Sequence, residues 1–255
     1  MTTDPTLLVA IYGDYGPWFG PWFESALATG HRRFIIVSDG AHEDTAQRLV
    51  TAAFEGSRAD LSRVDDDADY TAMIQDPRLK PYAYLAAWRR AFRLLPPGAP
   101  FVACHVDTIL QRNLAAAWLE ARPKPFGLAL PAVRHGTRWV FEPIFLCGTA
   151  APVVQGELSN LLRETVRLSG SADRERMMQV YGSFTAGAAA LLASRMQEGG
   201  GTIVGQLPAT WCSRLDPQAA VVHFAGQPPD PTTVLGQRWA TLGDAYRART
   251  EVVRA

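Results

Sequence analysis

Short, unbroken apolar runs constrain the fold of this chain more than any other feature. Leu7-Leu-Val-Ala-Ile11, Phe34-Ile-Ile-Val37 within Arg33–Ser38, and Phe101-Val-Ala-Cys104 each stop abruptly at polar or glycine-bearing residues. Runs of this length bounded by turn signals suit strands buried on both faces, as in a parallel sheet. The third run is the most informative, because it halts at His105 and Asp107 and apolar residues resume only at Ile109 and Leu110. An isolated H-x-D of this kind reads as a turn cap and a core histidine unless other residues converge on it.

Helical patterns separate the runs. Pro21, in the repeat Gly16-Pro-Trp-Phe19 and Gly20-Pro-Trp-Phe23, opens a helix reaching about Leu27, with Trp18 and Trp22 read as core. Ala46, Leu49, Val50 and Ala53 give His42–Phe54 one apolar face. Asp65–Asp69 reads as a solvated acidic loop. Pro81 starts a helix whose Tyr82, Leu85, Trp88, Phe92 and Leu95 form an apolar stripe, and Arg89, Arg90 and Arg93 form its solvated side. Pro96–Pro100 ends it.

Beyond this point the pattern is less regular. It predicts helices over Asn113–Glu120, Gly156–Leu168 and Ser183–Met196, and a closing helix carrying Trp239, Leu242 and Tyr246. It predicts strands over Pro125–Leu130, Trp139–Cys147, Thr202–Leu207 and Ala219–Phe224. The alternation in the first half implies βαβ units, hence an α/β fold with a mixed, mostly parallel, Rossmann-like sheet flanked by helices. No composition break divides the 255 residues. The chain is read as one domain with two lobes, about residues 1–110 and about 111–255.

With 47% apolar and 20% charged residues, the chain has the composition of a globular protein. The 25 basic and 25 acidic side chains cancel, so no bulk charge favours nucleic acid or an anionic membrane. Cys104, Cys147 and Cys212 are widely spaced, which suits reduced thiols and a cytoplasmic location. The sequence shows neither a signal peptide nor an apolar segment long enough to span a bilayer.

Four polar sets fall at strand ends: Asp14 with Tyr15, Asp39, His105 with Asp107, and His223. In a mostly parallel sheet such ends converge on one crevice. Imidazole and carboxylate together suit Mn²⁺, and a carboxylate alone suits Mg²⁺. Such a cation neutralises a diphosphate leaving group.

These segments resemble, in order, the blocks of GT-A fold glycosyltransferases, above all the retaining family 8 group that includes glycogenin and bacterial galactosyltransferases. Ile11-Tyr-Gly-Asp-Tyr15 is similar to the family's first strand and nucleotide-binding turn, and Lys80 to its basic residue before a long helix. Phe101–Leu110 resembles the hydrophobic strand and D-x-D segment. Leu207–Trp211 and Val221–Gly226 resemble the late L-P-x-x-[WY] and H-x-x-G stretches.

The resemblance implies a hexosyltransferase-like enzyme that moves a sugar from a nucleotide-diphosphate donor, a UDP-sugar in that family, to a glycan, lipid or small-molecule acceptor. It implies Mn²⁺ or Mg²⁺ at His105, Asp107 and His223. Donor contacts fall on Tyr12, Gly13, Asp14, Tyr15, Lys80, Gly226 and Gln227, with Tyr12 and Asp14 on the base and ribose. Departures motivate an alternative, a catalytically weak or inactive nucleotide-sugar-binding module. His105 replaces the first Asp of D-x-D, and Gln227-Pro-Pro-Asp230 replaces the stretch bearing a lysine. Tyr181–Thr185 stands where the family has an Asp-Gln pair, and Glu142 is a candidate for the sugar or acceptor pocket.

Overall fold

The computed structural model describes residues 4–44, 47, 58–115, 128–135, 138–141, 143–198, 204–207, 211–213 and 216–252. The first three apolar runs form strands β1 (Thr6–Ile11), β2 (Arg33–Ser38) and β4 (Pro100–Cys104). With β3 (Arg58–Arg63) they line up as β3-β2-β1-β4, all parallel. β8 (Phe145–Thr149) then pairs antiparallel with β4, and β6 (Leu128–His135) antiparallel with β8. β7 (Arg138–Phe141) and β9 (Val204–Leu207) both pair with β6. A second, three-stranded sheet joins β10 (Cys212–Ser213), β11 (Val221–His223) and β5 (Thr108–Leu110).

The helices are α1 (Gly16–Ala28), α2 (Ala68–Gln75), α3 (Tyr84–Phe92), α4 (Pro152–Ser169), α5 (Arg174–Tyr181), α6 (Phe184–Glu198) and α7 (Val234–Val252). α3 packs on β1 and β2 and against α4, and α1 packs against α7 and β5. Trp22, Trp88, Phe19, Phe34 and Phe101 are fully enclosed between these layers. Aromatic side chains of this size each bury about 150–250 Å² and dominate core energetics.

Several elements differ from the sequence expectation. α1 starts at the first of the two repeats, with Pro17 in its first turn, so Pro21 lies inside the helix. The second repeat's glycine has another task, since a Cβ on Gly20 would lie 2.6 Å from the Tyr246 ring of α7. The acidic stretch is exposed at Asp65, Asp66 and Asp69, as expected, but not at Asp67. Asp67 is buried, caps α2 by accepting from the amides of Asp69 (3.0 Å) and Tyr70 (3.1 Å), and pairs with Arg89 at 2.7 Å. Arg89 and Arg90 therefore face this acidic cap rather than open solvent, with Arg90 3.2 Å from Asp66.

β3 and α5 were not expected at all. β3 is a partly exposed edge strand with no apolar run, and no residue of α5 is buried. The expected single strand Trp139–Cys147 is two, β7 and β8, broken at Pro143 and Ile144. Most of the helix expected over His42–Phe54, most of that over Asn113–Glu120, and Glu142 lie outside the described residues. Among the described residues, no helix is long and apolar enough to cross a membrane. The three cysteines are buried and form no disulfide, and burial pushes the Cys147 thiol up to about 12.

His31, ending the connection from α1 to β2, is only 1% exposed. Its Nε2 accepts the Leu114 amide at 3.1 Å, which requires that nitrogen to be bare. Burial lowers its pKa to about 4, with Asp4 opposing the shift and Arg32 adding to it. The unfolded chain binds this proton near the ordinary value of about 6.5, so the contribution is complete above that pH and is lost as pH falls towards 4. At pH 5 this residue alone is expected to cost about 2 kcal/mol of unfolding free energy relative to pH 7. Urea titrations of His31→Gln, which can still accept the amide, should show a shallower pH dependence, and equal slopes would contradict the assignment.

Candidate cation and donor site

Backbone register builds the site. β4 ends where the His105 amide turns to the Ile144 carbonyl at 2.8 Å, and the Thr108 hydroxyl closes the turn on the His105 carbonyl at 2.7 Å. β5 then leaves the main sheet and pairs antiparallel with β11, setting Thr108 opposite His223. One step further the Phe224 amide donates to the Asp107 carbonyl at 3.0 Å. The register therefore brings together Asp107 and His223, which lie far apart in sequence.

His105, Asp107 and His223 are all buried, and one potential ligand atom from each lies within 4.8 Å of the others. His105 Nδ1 is in direct contact with Asp107 Oδ1, and His223 Nε2 is 3.3 Å from Oδ2. The Gly226 amide donates to Oδ2 at 2.7 Å. Burial alone would raise the Asp107 pKa, but the two imidazoles hold its carboxyl well below the usual range. The set is thus a fixed carboxylate flanked by two imidazoles, a nitrogen and oxygen donor set of the kind borderline divalent ions take.

Tyr12 stands behind His105. It is 0% exposed, its hydroxyl donates to the Pro81 carbonyl at 3.1 Å, and the same oxygen lies 3.0 Å from His105 Nε2. Burial, with Tyr15 and Tyr84 nearby, raises its pKa well above the ordinary value, so the phenol keeps its proton. The expectation that Tyr12 contacts a base therefore meets a ring with no accessible face. Tyr15 is half-buried beside it, its ring centroid 4.7 Å from that of His105.

The remaining expected donor residues form a rim. Gly13 adopts φ +52°, and its amide donates to Asp39 Oδ2 at 2.9 Å. Lys80 pairs with the exposed Asp14 at 2.5 Å, so each neutralises the other. Gln227 is exposed, and its amide closes the turn on the Phe224 carbonyl at 3.1 Å. That turn needs positive φ at both Ala225 (+52°) and Gly226 (+74°). In the segment expected to replace the Asp-Gln pair, Gly182 ends α5 in the left-handed region and the Ser183 hydroxyl accepts the Ala186 amide at 3.0 Å at the start of α6.

Sequence reasoning passed over some participants. Tyr70 donates its hydroxyl to Asp39 Oδ2 at 3.0 Å, and Tyr84 places its ring centroid 4.7 Å from that of His105. Tyr84 sits among the apolar residues of α3, and its pattern there is indistinguishable from core. Two surface clefts, of about 600 and 420 Å³, lie elsewhere and include none of the three candidate ligands.

With this geometry in place, comparison with solved structures decides the fold. The galactosyltransferase LgtC, bound to donor and acceptor sugar analogues, superposes with a TM-score of 0.65 over 96% of this chain and 99% of its own, at 12% identity. The fold is that of the GT-A glycosyltransferases. The glycosyltransferase GlyE of Streptococcus pneumoniae TIGR4 gives 0.64 over 97% of this chain and 63% of its own, at 10% identity. Mouse xyloside xylosyltransferase 1 gives 0.57 over 90% and 100%, also at 10% identity. The chain matches no protein-family model and no curated protein by sequence. The expected GT-A architecture is thus present with little sequence in common.

The turn at Gly226 yields a graded test. Alanine there must adopt the left-handed region at a cost of about 1–2 kcal/mol, whereas asparagine tolerates that region better. Denaturant unfolding should rank wild type above Gly226→Asn and Gly226→Asn above Gly226→Ala. Equal stabilities would show that the turn relaxes freely.

Proposed function

We propose that the protein is a glycosyltransferase that moves a sugar from a nucleotide-diphosphate donor, a UDP-sugar, to a glycan, lipid or small-molecule acceptor with divalent-cation assistance. The observation that carries this reading is the convergence of His105, Asp107 and His223 within 4.8 Å, on a GT-A sheet, beside the Gly13–Lys80 rim. The donor set fits a divalent cation because Asp107 is held as a carboxylate and a nitrogen lies against each of its oxygens. Two imidazoles favour Mn²⁺ over Mg²⁺. A bound cation would neutralise the diphosphate and so stabilise its departure.

The chain's own residues supply the rest. Gly13, in the left-handed region, brings the backbone close to a donor. Lys80 is the cation on the rim and can exchange Asp14 for a phosphate oxygen, leaving Asp14 free to accept from a ribose hydroxyl. Tyr15 offers the aromatic face that Tyr12 does not. Gly226 and Gln227 form the turn closing over Asp107. Retention of anomeric configuration follows from the family 8 resemblance alone.

A second reading, a nucleotide-sugar-binding module without turnover, is favoured by the imidazole at position 105 and by the loss of Tyr12 as a base contact. UDP-, GDP- and TDP-sugars assayed with Mn²⁺ and with EDTA separate the two. Transfer or hydrolysis that EDTA abolishes, and that Asp107→Asn lowers by more than about 100-fold, is expected for the enzyme. Nucleotide binding without turnover across a broad acceptor panel would establish the module. Turnover indifferent to both EDTA and Asp107→Asn would refute the cation site.

A further inference from the structure

We propose that Tyr12 is a positioning residue of the cation site, which fixes the orientation and, with a cation bound, the tautomer of His105 so that the ring offers Nδ1 to a cation beside Asp107. The inference rests on the reading of His105, Asp107 and His223 as cation ligands. It assigns Tyr12 a task different from the base contact implied by the family resemblance.

The argument follows proton by proton. The Pro81 carbonyl can only accept, so the Tyr12 hydroxyl spends its one proton there, at 3.1 Å. What the hydroxyl oxygen has left to offer His105 Nε2, at 3.0 Å, is a lone pair. That ring nitrogen must therefore carry hydrogen. An imidazole that ligates a cation keeps one N–H; with that hydrogen on Nε2, the nitrogen left to the cation is Nδ1, the atom set against Asp107 Oδ1. With no cation present, that contact holds a hydrogen between the two atoms; a bound cation would take the hydrogen's place and be chelated by Nδ1 and Oδ1. His223 Nε2, 3.3 Å from the other carboxylate oxygen, adds the third donor.

This arrangement answers a requirement peculiar to histidine. A carboxylate at position 105 could ligate through either oxygen and would need no such partner. An imidazole must present one particular nitrogen, and the hydrogen bond made by the other nitrogen decides which. Tyr12 is well placed to impose it. Its ring is wholly enclosed, 5.1 Å from that of Tyr15 and edge-on to Tyr70 at 6.4 Å, so the hydroxyl has little freedom to move. Because Pro81 follows Lys80, the same hydrogen-bonded chain ties the donor rim to the cation site.

Metal titration calorimetry with Mn²⁺ and Zn²⁺, and ¹⁵N NMR of the imidazoles in the diamagnetic Zn²⁺ form, test the proposal. In the wild type, His105 should carry its proton on Nε2, and a proton on Nδ1 would overturn the proposal without any variant. Tyr12→Phe removes one oxygen and is expected to weaken binding of both ions by about 10–100-fold and to mix the His105 tautomers. In a His105→Ala background the same change should cost no further affinity, whereas a merely structural role would cost as much in either background. Tyr12→Phe with unchanged affinity and unchanged tautomer overturns the inference. If Asp107→Asn also leaves Mn²⁺ and Zn²⁺ binding intact, the cation-site reading fails instead.

Discussion

The site depends on the buried negative charge of Asp107. The residue is 1% exposed, and a carboxylate that far from water is stable only if its oxygens are met by positive or donating groups. Three separate segments meet them: His105 from the end of β4, His223 from the end of β11, and the Gly226 amide from the turn that follows. One carboxylate thus holds two strand ends and a loop in register. Removing one partner of such a buried pair commonly costs about 3–5 kcal/mol, because the remaining charge is left uncompensated.

The sheet explains why the cluster sits where it does. β1 lies between β2 and β4, so the order β3-β2-β1-β4 reverses direction at the β1–β4 pair. Chain connections depart to opposite sides at such a switch point and leave a crevice beyond the strand ends. Tyr12 and Gly13 leave the end of β1, and His105 leaves the end of β4, on this adjacent pair. The small β10-β11-β5 sheet then carries His223 back across the same opening. The position of the cluster is a consequence of strand order together with one antiparallel register.

Much of this was legible in the residues, for physical reasons. Continuous apolar runs identify strands buried on both faces, and β1, β2 and β4 are such strands. The His105–Asp107 pair was visible as polarity at a strand end, and His223 as a second such end. The direct contact between them was not legible, because it depends on β5 leaving one sheet for another. Tyr12 was misplaced because a tyrosine beside a glycine turn has the same sequence appearance whether its ring faces a ligand or the core. β3 escaped notice because an edge strand needs no apolar run, and Asp67 because an acidic cluster looks solvated until an arginine from another helix is seen to cover it.

Anomalous diffraction from crystals soaked in MnCl₂ would test the central claim most directly. A single strong peak is expected within coordination distance of His105 Nδ1, an Asp107 carboxylate oxygen and His223 Nε2, and absent from Asp107→Asn crystals treated identically. A peak elsewhere in the protein, or none at these three side chains with a nucleoside diphosphate also present, would contradict the account.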